Sequence, residues 1–236
     1  MKGEFKRVVN EIKDRRLREK VFDLIKNPKI KIGDKIYEGL PLDTSPASKA
    51  RHHSYEGGLI QHTVSSSTIA LTLCDIAERI YHAKVERDVV LAAIIIHDIM
   101  KPLTYSLKEE GGYDSSQLGE QIDHLTLIVT ELIGRGFPLK VVHAVAAHHG
   151  RNGPSDPKTI EALICFLADS TDAALNGKAL NAARYLVEKC TGERVGQLCA
   201  EEAFAIIHVK QNQGWEGVEK AFEDIKRKRE TRNSAS

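Results

Sequence analysis

The chain has 236 residues, 42% of them apolar and 28% charged, and a formal net charge of +1 from 34 Lys and Arg against 33 Asp and Glu. That is enough chain to bury a core, and the near-neutral balance excludes a general electrostatic pull toward nucleic acid or an anionic membrane. No apolar run approaches the roughly 18–20 residues needed to cross a bilayer, the charged start MKGEFKRVVNEIKDRR lacks a signal-peptide core, and the four cysteines are widely spaced with no CxxC pair, so the expectation is a cytoplasmic protein with reduced thiols and no membrane partner.

Taken in chain order, residues 4–26 alternate charges with Val8, Val9, Ile12, Leu17, Val21, Phe22 and Ile25, which predicts one charged amphipathic helix or two short ones, stopped by Asn27-Pro28. Residues 29–38 alternate weakly around Gly33-Asp34 and could form a small hairpin. Residues 39–50 carry two prolines and read as loop. From Gly57-Gly58 the pattern is helix after helix. Residues 59–82 show a stripe at Ile69, Leu73, Ile76, Ala77 and Ile80, and His62 falls on the same stripe. Residues 86–101 predict a buried helix that must end before Pro102. Residues 103–114, with Gly111-Gly112, predict a loop. Residues 117–134 predict a helix through Leu118, Ile122, Leu125, Val129 and Leu132. Pro138 suits a helix start and Gly150 a helix end. Residues 151–157 read as a turn-rich loop, and helices are expected over 158–175, 178–190, 197–210 and 215–232, with a frayed tail from Asn233 to Ser236. The fold class is all-α, with the one hairpin near the N-terminus. The expected division is 1–44 for the N-terminal helix and hairpin, 45–176 for the chemistry-bearing domain, and 177–236 for C-terminal helices packed on it.

Polar residues inside these apolar segments carry the functional signal. His62 points inward, His97-Asp98 close the most apolar segment VVLAAIIIHD, His124 lies in the next helix, His148-His149 close another, and Asp169 sits inside LICFLADSTDAAL. A buried carboxylate or unpaired imidazole is costly unless something satisfies it. A metal centre would satisfy all of them at once. Five histidines and two aspartates are too many for one tetrahedral zinc. They suit two ions bridged by a carboxylate, and mixed imidazole and carboxylate donors favour iron, manganese, zinc or cobalt over calcium. Two such ions about 3.5–4 Å apart form the usual clamp for phosphoryl chemistry.

The ordered set His62, His97-Asp98, His124, His148-His149, Asp169 resembles the HD superfamily of metal-dependent phosphohydrolases. The strings HHSYEGGLIQHT, HDIMK, AAHHG and EALICFLADSTDAAL are similar to the HD domain of bacterial 3′–5′ exoribonucleases, over about residues 45–176. The resemblance implies an HD helical bundle. It implies one metal on His62, His97, Asp98 and Asp169, and a second on His124, His148 and His149, with Asp98 as bridge. Iron or manganese is favoured; zinc, cobalt, nickel and magnesium are also compatible. Asp98 and Lys101 would be the catalytic residues, and a metal-bridging hydroxide the nucleophile. Lys101, Asp172 and His53 would contact substrate; a metal-ordered water, His52, His53 or Asp172 would protonate the leaving group.

Members with a third metal carry a glutamate where this chain has Gly58, so two ions are expected. The segment HHGRNGPSDP lacks the GYP of cyclic-dinucleotide hydrolases, and about 50 residues precede the domain, too few for the exoribonucleases' nucleic-acid-binding barrel. The expected activity is hydrolysis of a small phosphate ester, cyclic or nucleotide-like. The resemblance extends to archaeal iron-dependent phosphodiesterases that open a pterin 2′,3′-cyclic phosphate. Two other readings stand beside it: a 3′–5′ exoribonuclease, with the basic stretch Lys226–Arg232 as RNA track, and a non-catalytic HD module that binds a nucleotide or protein partner. His82, His143 and His208 are read as structural.

Overall fold

The structure, a computed structural model, describes residues 2–233; of the tail Asn233–Ser236 expected to fray, Asn233 ends the last helix and residues 234–236 fall outside the described residues. The N-terminal segment forms two helices, α1 (Lys2–Asn10) and α2 (Arg15–Lys26). The break between them is chemical: the Asp14 side chain accepts from Leu17 N and starts α2, while Asp88 accepts the backbone N–H groups of Lys13 and Asp14 at 2.9 and 2.7 Å. Strands β1 (Ile30–Ile32) and β2 (Lys35–Tyr37) form the expected antiparallel hairpin, turning through Gly33 at φ +60.

Helix α3 (Gly58–Arg79) buries His62, Thr63, Ser66, Ala70, Cys74 and Ala77. This corrects the expected stripe, because Ile76 and Ile80 are exposed. Helix α4 (Arg87–Ile96) is buried from Val89 to Ile96, and packs against α1, α2, α3, α7 and α8. Its end differs from the expected position. The helix stops at Ile96, tight turns follow (Ile99 N to Ile96 O 3.1 Å, Lys101 N to Asp98 O 2.9 Å), and Lys101 opens the short α5 (Lys101–Thr104) with Pro102 in its first turn. A proline is tolerated there because that N–H has no helical partner.

The expected loop over 103–114 is instead a second hairpin, β3 (Tyr105–Leu107) and β4 (Tyr113–Ser115), reversed through Gly111 and Gly112 at φ +88 and +87. Helix α6 is shorter than expected (His124–Gly134), because Asp123 caps it by accepting from Thr126 N at 2.9 Å. Residues 116–122 pack as turns instead, and a Cβ on Gly119 would lie 2.2 Å from Thr104 O. Helix α7 (Leu139–Ala146) follows Pro138, and a 3-10 turn (Gly150–Asn152) follows the paired histidines.

The two helices expected over 158–190 are one, α8 (Ile160–Thr191), capped by Thr159 and closed by Gly192 at φ +73. Gly177 does not break it. Its place is set by packing, since a Cβ there would meet Arg51 O at 3.4 Å. Helix α9 (Ala200–Asn233) bends at Gly214, whose φ and ψ of 70 and −153 are non-helical, so it corresponds to the two expected C-terminal helices. The main core lies among α1–α4 and α6–α8; a smaller one gathers Leu180, Ala183 and Val187 of α8 with Ile206, Val218 and Phe222 of α9. No helix among the described residues is long and apolar enough to cross a membrane.

Candidate metal centre

Five elements bring their polar residues to one place. His62 comes from the first turns of α3, His97 and Asp98 from the turn after α4, His124 from the start of α6, His148 and His149 from the turn after α7, and Asp169 from the middle of α8. His62, His97, Asp98 and His148 are almost wholly buried.

Asp98 organises them into two groups. Its Oδ2 faces His97 Nε2 at 3.3 Å and His62 Nε2 at 3.6 Å, and Asp169 Oδ1 closes that group at 3.1 Å from His62 Nε2 and 3.6 Å from His97 Nε2. Its Oδ1 faces the other way, toward His124 Nε2 at 3.3 Å and His148 Nε2 at 3.8 Å. His149 lies against His148, ring centroids 4.0 Å apart and planes tilted by 54°. His124, His148 and His149 have nitrogens within 4.8 Å of one another, as do the donor atoms of His62, His97 and Asp169.

The orientation of the rings is fixed from behind. His97 Nδ1 donates to Ile94 O at 2.7 Å, and His148 Nδ1 to Val145 O at 2.6 Å. Those carbonyls lie in the last turns of α4 and α7, where helical partners run out. His62 Nδ1 bonds Asp172 Oδ2 at 2.6 Å. Each of these three rings therefore turns Nε2 inward.

Whether a metal fits can be judged from satisfied and unsatisfied atoms. Asp98 Oδ1, Asp98 Oδ2, His124 Nε2 and His148 Nε2 are buried without a hydrogen bond. Asp98 Oδ2 has ion-pair contacts alone, with Lys101 Nζ at 2.5 Å and with the His97 and His62 rings. Buried groups of this kind are normally paired, and these four converge. A divalent cation on each side of Asp98 would pair all of them, and the nitrogen and oxygen donor set suits transition metals.

The charges fit the same picture. Burial alone would raise Asp98 and Asp169, but the positive partners prevail: His97 and Lys101 beside Asp98, and His62 and His97 beside Asp169, hold both carboxyls well below the usual range. Burial alone would lower His97; Asp98 and Asp169 outweigh it and raise His97 to about 10, the same attraction that would favour a cation over a proton on Nε2. His148, buried beside His97, is pushed well down and stays neutral.

The centre opens into a cleft of about 840 Å³, lined among others by His52, Lys101, His148, His149, Phe166 and Asp169. Arg51 and Lys178 add positive charge at its walls. A further cleft of about 620 Å³, by Glu78 and Arg87, offers less for chemistry: Arg87 is already paired with Asp75 and Glu78, and Asp88 with backbone N–H groups.

Not every expected substrate residue faces the cleft. Lys101 does. Asp172 is 2% exposed and lies behind His62, where it also accepts a short hydrogen bond from Ser65 Oγ. His53 is equally buried, at φ +44, with Nε2 3.6 Å from Asp172 Oδ2. Gly58 marks a close approach: a Cβ there would lie 2.1 Å from His53 O, so the position cannot carry a glutamate without moving the His52–His53 segment. Ser65, Asn152, Phe166 and Asn176 also surround the site and gave no sequence signal, since each residue type is ordinary on a helix or loop. His143 Nε2 accepts from Lys158 N at 3.0 Å and His208 contacts Asn212, roles within the scaffold.

Comparison with known proteins gives the following. The model of the HD domain matches residues 59–174. The dihydroneopterin 2′,3′-cyclic phosphate phosphodiesterase of Methanocaldococcus jannaschii is 43% identical over 174 residues, covering 74% of this chain and 70% of that protein. The 3′–5′ exoribonuclease YhaM of Bacillus subtilis is 29% identical over 145 residues, covering 56% of this chain and 43% of that protein. The enzyme of the same name from Oceanobacillus iheyensis is 31% identical, covering 70% and 55%. No solved structure matches the chain.

Proposed function

The chain belongs to the HD-domain family of metal-dependent phosphohydrolases, and from that premise we propose that it opens a 2′,3′-cyclic phosphate on a small, pterin-like molecule, using two divalent cations, iron or manganese, held by His62, His97, Asp98 and Asp169 and by Asp98, His124, His148 and His149. The observation that carries the reading is Asp98, whose two carboxylate oxygens face two separate histidine clusters at the head of a cleft. The archaeal relative's named substrate and the extent of the match support the choice of ester.

The cations would activate a water for attack and offset charge on the phosphoryl oxygens. The side chains do the rest. Asp98 holds the two sites in register. Lys101, raised by its carboxylate neighbour Asp98 against the opposing effect of burial, keeps its charge and reaches the cleft where a phosphoryl oxygen would lie. Arg51 and Lys178 draw an anionic substrate in. Of the three side chains expected to protonate the leaving oxygen, His53 and Asp172 lie beneath the centre and only His52 lines the cleft. Burial holds His52 at about 4, so it is uncharged at neutral pH and suited to orienting a hydroxyl. An ordered water is left as the acid.

A substrate panel on metal-reconstituted protein tests this: 2′,3′- and 3′,5′-cyclic phosphates, nucleoside monophosphates and a single-stranded RNA oligomer, each at low and physiological salt. The 2′,3′-cyclic ester is expected to be cleaved fastest, with little salt dependence. Binding through many phosphates weakens steeply with salt. RNA shortening that outpaces every small ester and collapses with salt would install the exoribonuclease reading instead, and binding without turnover of any ester would install the non-catalytic module.

A further inference from the structure

The three rings with a bonded Nδ1 are not held in the same way. His97 and His148 sit just past helix ends, where the carbonyl three residues back accepts a hydrogen bond from Nδ1. His62 lies in the second turn of α3, where the neighbouring carbonyls are committed to the helix; Thr63 Oγ1 even adds a second bond onto Leu59 O. His62 Nδ1 bonds no carbonyl; its partner is a side chain from another helix.

That side chain is Asp172. On α8 it lies three residues after Asp169, on the same face, so one helix places a carboxylate against each nitrogen of one imidazole: Asp169 Oδ1 at 3.1 Å from Nε2, Asp172 Oδ2 at 2.6 Å from Nδ1. Asp172 is itself held. Ser65, three residues after His62 on α3, donates to its Oδ1. His53 Nε2 lies 3.6 Å from Oδ2, and the His53 backbone N–H donates to Asn176 Oδ1 at 2.6 Å. Asn176 is one helical turn beyond Asp172 and donates in turn to Tyr55 OH at 3.0 Å. A carboxylate so enclosed meets no substrate.

We propose that Asp172 is a positioning residue of the metal centre: by accepting the Nδ1–H hydrogen bond of His62 it fixes Nε2 as the donor atom and makes that donor more basic, with Ser65 and the His53–Asn176 contact keeping the carboxylate in place. This rests on the two-cation reading above. It differs from a simple buried ion pair in its consequences, because a charge behind a ligand changes how tightly the ion is held, and outer partners of metal-bound histidines are typically worth 10–100-fold in affinity.

The experiment is cobalt(II) titration of metal-free full-length protein against a competing chelator, with visible absorption bands and thermal midpoint recorded, for the wild type, Asp172→Asn and Ser65→Ala. The asparagine keeps a hydrogen-bond acceptor of the same shape and loses the charge. Expected results are two bound ions in the wild type, about 10–100-fold weaker binding of one of them in Asp172→Asn with altered bands, the other within about threefold, and a smaller loss in the same direction in Ser65→Ala. Two ions in the wild type with both affinities and bands unchanged in Asp172→Asn, whatever its thermal midpoint, would overturn the positioning role alone. Should Asp172→Asn not fold, unchanged affinities in Ser65→Ala overturn it. A wild type that binds no ion overturns the two-cation reading and the proposal with it.

Discussion

His52 and His53 show how the site's construction sets its response to pH. Burial and the nearby His62 hold His52 at about 4 and His53 at about 3, below the ordinary histidine value near 6.5. Between those values the unfolded chain takes up protons that the folded chain refuses. The contribution to stability is therefore complete above about pH 6.5 and is lost as pH falls toward 4. His97, raised to about 10, acts in the opposite direction, so the two rings are best followed directly: in an NMR titration of chelator-treated protein both should stay neutral at pH 5, and titration near pH 6.5 would contradict their burial. Lys101 carries a second residue-scale expectation. An ammonium beside a phosphoryl oxygen in a water-poor cleft contributes a few kcal/mol, so Lys101→Ala should lower kcat/KM roughly 10²-fold with metal content unchanged. A normal rate would assign Lys101 to neutralising Asp98 alone. At this scale the sequence was informative where residue type clashed with its surroundings: a histidine or aspartate in an apolar run announces itself. Ser65, Asn176 and Phe166 clash with nothing, and the direction in which Asp172 points depends on α3 lying opposite it, so substrate contact and support of His62 were indistinguishable until the two helices were placed.

At the scale of elements, helices were legible from periodicity while their ends were not. The end of α4 is masked by Pro102: the proline predicts the stop, and a turn five residues earlier makes it. The start of α6 hinged on the cap at Asp123, and the β3–β4 hairpin on strands of three residues each, too short for alternation to register. The single α8 was read as two because Asn176-Gly177 resembles punctuation. Its logic is instead packing and hydrogen bonding against the Arg51–His53 segment. Gly58 has the same logic in sharper form. The overlap that a Cβ would make with His53 O cannot be relieved by a rotamer, since both groups are tied to backbone. Gly58→Ala should therefore cost about 1–3 kcal/mol of stability, read from the denaturant midpoint at unchanged slope. Wild-type stability would show that the His52–His53 segment yields freely.

For the whole molecule, the arrangement explains why residues spread from 62 to 172 act together. α4 is buried from Val89 to Ile96 and leads to His97-Asp98 in the core; α3, α7 and α8 pack on it, and each brings a histidine or aspartate of the proposed centre close to Asp98. α8 continues unbroken past residue 176 into the second core with α9, so the C-terminal helices are continuous with the element that carries Asp169. Gln61, beside His62, donates to Glu201 of α9 at 3.0 Å, a further tie between the two parts. On the proposed reading, this assembly holds two cations that do phosphoryl chemistry. The most direct test is to strip the full-length protein of metal, add back manganese(II) or iron(II) in steps, and follow bound metal per chain together with the rate of 2′,3′-cyclic phosphate hydrolysis, for the wild type and Asp98→Ala. The expected result is no hydrolysis in the stripped protein, activity rising only as more than one ion per chain is bound, and neither stoichiometric binding nor activity in Asp98→Ala. Full hydrolysis by metal-free protein, or an Asp98→Ala variant that binds and cleaves as the wild type does, would contradict it.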